Sequence, residues 1–157
     1  VYKRFTAESG VVFSGGGASR DTLRCLFDGN RSSFWEETAN AMPIFVEVEN
    51  RGPEMLLKYS MACGDLAARM PSEWRVLGSG NGSDWISLDE RRMRFPWRPF
   101  QEKVFYPAPA GACKFFKFEF TGSFSGGPGV RVYELTLFYK GAGAETAGTE
   151  SWKKGEK

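Results

Sequence analysis

Residues 73–88, EWRVLGSGNGSDWISL, constrain the fold of this chain more than any other stretch. Two short strand-like segments, 74–77 and 85–88, flank a Gly/Ser/Asn/Asp cluster whose Asn81-Gly82 pair tolerates the positive φ of a tight hairpin turn. Trp74 and Trp85 anchor one arm each. An indole carries a large apolar surface, so two of them beside a turn point to a hairpin laid across a β core. The flanking chain repeats the same alternation of strand and turn. With 14 Phe, 5 Trp and 5 Tyr beside 19 Gly and 8 Pro, the composition suits pleated, turn-rich structure, and no helix-length periodic run is present. At 157 residues the chain has the size of one domain, able to bury roughly two-thirds of its unfolded surface.

Charge and residue usage exclude several functions. The net charge of +2, dispersed over 21 basic and 19 acidic residues, is not the footprint of a nucleic-acid binder. No apolar run reaches the length of a membrane span. Val1 opens no signal-peptide pattern, so the expectation is a soluble piece of a longer protein. Cys25, Cys63 and Cys113 are odd in number and lack CxxC spacing, which favours buried small side chains over a zinc site, with one disulfide open. Histidine is absent altogether, which removes the commonest general base and every Ser-His-Asp or Cys-His arrangement.

Along the chain, Val11 to Phe13 read as a short edge strand followed by a glycine-rich connection. In 21–37, DTLRCLFDGNRSSFWEE, Leu23, Leu26 and Phe27 make one helical turn and Asp28-Gly29-Asn30 a tight bend. Asp28, the Asn30 carbonyl and Ser33 face into that bend, offering either hard oxygens for calcium or an Asx turn that holds its own backbone. Residues 43–49 alternate, with Ile44, Val46 and Val48 on one face, and 55–61 repeat the pattern with Leu57, Tyr59 and Met61; an antiparallel pair is expected. Asp65 and Arg69, in the connection 63–72, either pair with each other or meet a ligand. In 89–101 the rings of Phe95, Trp97 and Phe100 are interleaved with four arginines and two prolines, and either stack on a ligand or cap the core. Phe116, Phe118 and Phe120 face inward. Phe124 sits alone in a glycine loop as a platform or a plug, and Glu134 shares an apolar face with Val130, Val132 and Phe138, a position that calls for a cation. Residues 141–157 turn small and charged and read as a flexible linker or tail, leaving 1–140 as the single folded unit.

About eight strands with glycine turns mean a sandwich or jelly roll. Asp28-Gly29-Asn30-x-x-Ser33-Phe34-Trp35, Arg69-x-Pro71-x-x-Trp74, Leu77-Gly78-Ser79-x-x-Gly82-x-x-Trp85 and Tyr133-Glu134-Leu135, in that order over residues 20–140, resemble the discoidin (coagulation-factor C-type) superfamily and most of all carbohydrate-binding module family 32. The resemblance implies an all-β, galactose-binding-like, eight-stranded jelly-roll β-sandwich with a structural calcium ion. By position its ligands are the side chains of Asp28, Ser33 and Glu134 and the carbonyls of Cys25, Asn30 and Tyr133. The histidine that galactose-binding members use is missing, which puts galactose in doubt. Glu36, Glu37, Asp65, Arg69, Trp97, Arg98 and Phe124 remain as candidate sugar contacts, because such shallow sites combine one stacking ring with carboxylate and guanidinium groups.

The reading is a non-catalytic carbohydrate-binding module, expected to be monomeric and extracellular or cell-surface, that targets a glycoside-active enzyme in the same polypeptide to a glycan through a shallow loop site. Its rival is a discoidin-type adhesion or scaffolding domain that binds a protein or an anionic lipid headgroup through Phe95, Trp97 and Phe100 as one patch. An enzyme would need two convergent carboxylates in a cleft, which Glu36, Glu37 and Asp65 could supply, but shallow sandwich loops and the missing histidine count against it.

Overall fold

The computed structural model describes residues 2–14, 20–37, 43–126 and 129–141. Eleven strands are present among them: β1 (Tyr2–Arg4), β2 (Gly10–Ser14), β3 (Trp35–Glu37), β4 (Ile44–Glu54), β5 (Leu56–Ala62), β6 (Pro71–Ser79), β7 (Ile86–Arg92), β8 (Glu102–Phe105), β9 (Cys113–Ser123), β10 (Val130–Val132) and β11 (Glu134–Lys140). A short helix α1 (Arg20–Arg24) runs into a 3-10 turn, Cys25–Phe27, where the sequence places one helical turn. The strands form a four-stranded sheet, β1-β11-β5-β8, a five-stranded sheet, β2-β4-β9-β6-β7, and a two-stranded ribbon, β10-β3. All eight expected strands are there; β1 and β3 are additional, and the last strand is divided at Tyr133.

The central hairpin forms as the Asn-Gly signal requires. β6 and β7 pair antiparallel, and Gly82 in the turn has φ +82°, a conformation open to glycine without strain. Trp74 is buried on β6, while Trp85 falls just before β7 and is half-buried. The core lies between the sheets, where Tyr59, Met61, Leu135, Leu137 and Tyr139 face Val46, Val48, Trp74, Val76, Phe116 and Phe118. Ring contacts cross it, with Tyr59 edge-on to Phe118 at 5.2 Å and Phe116 stacked on Tyr139 at 5.6 Å. Trp74 Nε1 donates to the Tyr59 hydroxyl at 2.8 Å, and that hydroxyl donates to Asp89 Oδ2 at 2.8 Å. This polar chain from Trp74 through Tyr59 to Asp89 is satisfied along its length.

Three expectations are corrected. β4 and β5 do not pair: β4 lies between β2 and β9, and the chain crosses at Met55 to the opposite sheet, where β5 lies between β11 and β8. Leu56, not Leu57, is buried, because a register shift at Phe138/Tyr139 offsets the alternation at that end. Glu134 lies on the face of β11 away from Leu135, Leu137 and Tyr139, and it does not share the buried side of Val130 and Val132 in β10; the break at Tyr133 resets the alternation. None of the three cysteines forms a disulfide; Cys63 and Cys113 are buried and Cys25 is half-buried.

Candidate functional site

Two groups of predicted residues are brought together at the ends of β3, β10 and β11. In the first, the bend after the 3-10 turn closes on itself. Asp28 Oδ1 accepts from the Asn30 amide at 2.9 Å, and Ser33 Oγ donates to Asp28 Oδ2 at 2.6 Å and to the Asn30 carbonyl at 3.2 Å. Glu134 reaches the same bend from the start of β11, its Oε2 accepting from the Gly29 amide at 3.0 Å. Its other oxygen, Oε1, is buried with no hydrogen-bond partner. Burial, and then the nearby charge of Asp28, push the Glu134 carboxyl up to about 7, against the opposing pull of the Gly29 amide. Asp28, Gly29 and Glu134 line an open pocket of about 270 Å³ with Phe5, Phe27 and Thr136.

This donor set fits a hard cation. Two carboxylates crowded together, one with an orphaned oxygen, are what a divalent ion relieves. No cluster of three or more His, Cys, Asp or Glu side chains suited to a metal occurs among the described residues, so the set relies on two carboxylates, a hydroxyl and backbone carbonyls.

The second group is built by the β10-β3 ribbon. Antiparallel pairing sets Glu36 opposite Arg131. Glu36 then forms ion pairs with both Arg131, at 3.3 Å, and Arg69. The loop carrying Arg69 is held by backbone: the Arg131 amide donates to the Arg69 carbonyl at 2.9 Å, and the Phe124 amide to the Met70 carbonyl at 3.1 Å. Arg131 also donates to the Tyr133 hydroxyl at 3.1 Å, which donates to Asp65 Oδ1 at 3.0 Å. Its guanidinium lies 3.9 Å from the centre of the Phe34 ring. Burial opposes the Arg131 charge, yet hydrogen bonds to Tyr133 and Glu36 hold its pKa above the ordinary value. Gly64 permits this assembly, because a Cβ there would sit 2.3 Å from the Tyr133 ring and 2.6 Å from the Arg31 carbonyl.

The cluster thus gathers Glu36, Asp65 and Arg69 of the sequence candidates, and Phe124 joins it through Met70 while packing partly against the core. Arg69 pairs with Glu36 rather than Asp65. Arg131, Phe34 and the Tyr133 hydroxyl were not anticipated; the alternation Val130-Arg131-Val132 signals an outward Arg131 but not its partner. Glu37 lies on the opposite side of β3 and is buried, accepting from Ser14 Oγ at 3.2 Å. Trp97 is corrected outright: it is only 3% exposed and donates Nε1–H to the Pro71 carbonyl at 2.9 Å, so no ring face is free for a ligand. Arg98 is exposed on the separate loop before Gln101. On that loop Phe95 and Phe100 are 72% and 59% exposed, Phe100 at φ 61°, but without Trp97 the expected three-ring patch does not exist.

Among solved structures, a sandwich of this topology is found in a family 32 module from Clostridium perfringens NanJ in complex with galactose, with a TM-score of 0.70 over 88% of this chain and 99% of that one, at 11% identity. This chain has the fold of the family 32 carbohydrate-binding modules. A second family 32 module of Clostridium perfringens, in complex with GalNAc-β-1,3-galactose, superposes with a TM-score of 0.69 over 86% of this chain and 99% of that one, at 12% identity. Chitosan-binding module 1 from a Paenibacillus chitosanase/glucanase gives a TM-score of 0.63 over 84% and 96% of the two chains, at 13% identity. No family model and no curated protein matches the sequence itself. No helix among the described residues is long and apolar enough to cross a membrane.

Proposed function

We propose that the chain is a non-catalytic carbohydrate-binding module whose loop face, at Glu36, Asp65, Arg69, Arg131 and Phe124, holds an attached enzyme at an extracellular glycan. The observation that carries this reading is the convergence of two carboxylates, two guanidiniums and a tyrosine hydroxyl beside the Phe34 ring, on a fold whose relatives include binders of galactose, GalNAc-β-1,3-galactose and chitosan. Paired charges of both signs offer donors and acceptors to hydroxyls without attracting a polyelectrolyte. Structural calcium at Asp28, Ser33 and Glu134, with the Cys25, Asn30 and Tyr133 carbonyls, belongs to the same proposal. The ion would tie the bend to the start of β11 one residue from Tyr133, and so brace the loop face.

A glycan array tests the sugar reading. Binding should appear with the intact chain and weaken roughly 2- to 10-fold in Arg69→Ala and Asp65→Ala, both of which lie at the surface end of the cluster. An array hit that both variants retain would move the site elsewhere. The alternative, a scaffolding domain that meets a protein or an anionic headgroup, draws on exposed Phe95 and Phe100 beside Arg94 and Arg98. A silent array with retention on phosphatidylserine vesicles would favour it.

A further inference from the structure

The outer face of the five-stranded sheet carries chemistry that the loop face does not use. Alternation along β4 and β9 turns Ile44, Val46, Val48, Phe116, Phe118 and Phe120 into the core, which sends Phe45, Glu47 and Glu49 on one strand and Phe115, Lys117 and Glu119 on the other to the outside. A solvated sheet face is normally polar. Here Phe45, Phe115 and Trp85 are half-exposed and contiguous. The Lys117 ammonium lies 4.2 Å from the Trp85 ring centre and 5.1 Å from that of Phe45, and Trp85 meets Phe115 edge-on at 6.4 Å.

Register lines up a row across four strands, Phe13, Glu47, Lys117 and Leu77. At ~4.8 Å per inter-strand step the row runs about 14 Å. Glu47 is the unusual member. It is only 8% exposed, yet its carboxylate has no ion pair or hydrogen bond among the described residues, and burial raises its pKa while Lys117 opposes the rise. Its carboxylate oxygens keep contact with solvent and stay open to a donor from outside. Beside the row an open hollow of about 210 Å³ is lined by Gly10, Val11, Glu49, Asn50, Arg51 and Lys114.

We propose that this face is a second glycan-binding surface, on which a neutral oligosaccharide lies across the strands, stacked on Trp85, Phe45 and Phe115 and donating hydroxyls to Glu47. Charge decides the ligand class. Lys114 pairs with Glu49 and Arg75 with Glu119, so the face is balanced and does not select an anionic polymer or a membrane. A charged ammonium and a carboxylate at the centre of the rings equally disfavour a purely apolar protein partner, whereas a sugar presents both CH faces and hydroxyls. The surface shares no residue with the loop face, and the proposal stands or falls separately from it.

The test is native affinity electrophoresis of the whole chain in gels containing soluble neutral β-glucan or galactan, with Trp85→Ala, Phe45→Thr, Glu47→Gln and Arg69→Ala beside the wild type. The proposal expects retardation of the wild type and of Arg69→Ala, and roughly 2- to 10-fold weaker binding for each ring removed. Thermal melts identify any variant that has lost its fold, in which case Phe45→Thr and Glu47→Gln carry the comparison. Retardation lost in Arg69→Ala and kept in Trp85→Ala overturns the second surface and leaves the loop site intact. No retardation of the wild type by either polysaccharide overturns it as well. So does a wild-type dimer in size-exclusion chromatography that Trp85→Ala converts to monomer, since the face would then belong to a second copy.

Discussion

Calcium and pH should act on one carboxyl group, and their combination tests the cation loop. In the metal-free fold Glu134 titrates at about 7 instead of an ordinary 4.5, chiefly because it is buried and further because Asp28 is near. Below about pH 4.5 it is protonated in both the folded and the unfolded chain and contributes nothing to stability. As pH rises toward 7 the unfolded chain releases the proton while the fold retains it, so stability falls across that window and then stays level. At ~1.36 kcal/mol per pH unit, discounted because solvent screens a half-buried group, the loss is about 1–2 kcal/mol. A bound calcium ion inverts the preference by favouring the ionised form. At a hundredfold excess over its Kd it adds ~2.7 kcal/mol, or roughly 5–11 °C in Tm for a domain of this size. Thermal melts with calcium or chelator should therefore show that gain near pH 8 and little of it at about pH 5, where Glu134 holds its proton. Glu134→Gln should abolish the gain while raising the metal-free Tm near pH 8. An equal gain at both pH values, or one that survives Glu134→Gln, would refute the reasoning.

Three further outcomes follow from the packing. Trp97→Ala should destabilise the domain by ~3–5 kcal/mol, since a fully buried indole is lost and the Pro71 carbonyl loses its donor; a urea midpoint within error of the wild type would return Trp97 to the surface. Gly64→Ala should lower the Tm by an amount equivalent to ~1–3 kcal/mol, because the Tyr133 ring and the Arg31 backbone cannot both withdraw, and a neutral result would mean that the Arg131–Tyr133–Asp65 network does not close as described. Glu47→Gln should match the wild type below about pH 4 and exceed it near pH 7, because a carboxyl raised by burial weakens the fold as pH climbs past its unfolded value; the opposite trend in paired melts would show that Lys117 outweighs burial.

The fold was legible wherever a strand buries one face. Period-2 alternation placed Phe116, Phe118 and Phe120 in the core, and the Asn81-Gly82 pair located the hairpin turn. Alternation says which face a residue takes, but not which sheet its strand joins, so the crossing between β4 and β5 at Met55 was invisible. A single register shift was enough to exchange Leu56 for Leu57, and the break at Tyr133 to turn Glu134 away from the core. Trp97 misled because two prolines and flanking arginines mark a surface loop, while the indole itself turns inward to find a carbonyl. The candidate loop cluster was half legible: residue type singled out Glu36, Asp65 and Arg69, but only the β10-β3 register sets Arg131 opposite Glu36.

The loop cluster also limits how tightly it can bind. Glu36 is already shared by Arg69 and Arg131, and Asp65 already accepts from Tyr133. A sugar hydroxyl entering there exchanges one hydrogen bond for another, and such an exchange contributes only ~0.5–1.5 kcal/mol per bond. What the network supplies instead is geometry: the Arg131–Arg69 and Phe124–Met70 backbone bonds fix two loops before any ligand arrives, so little ordering entropy is lost on binding. On the proposed reading, such a site would discriminate among sugars better than it would retain any one of them. Under that proposal, retention would come from a second contact with the same polymer, either a neighbouring module in a longer polypeptide or the aromatic face of the five-stranded sheet, because linked weak sites gain through effective concentration what neither reaches alone.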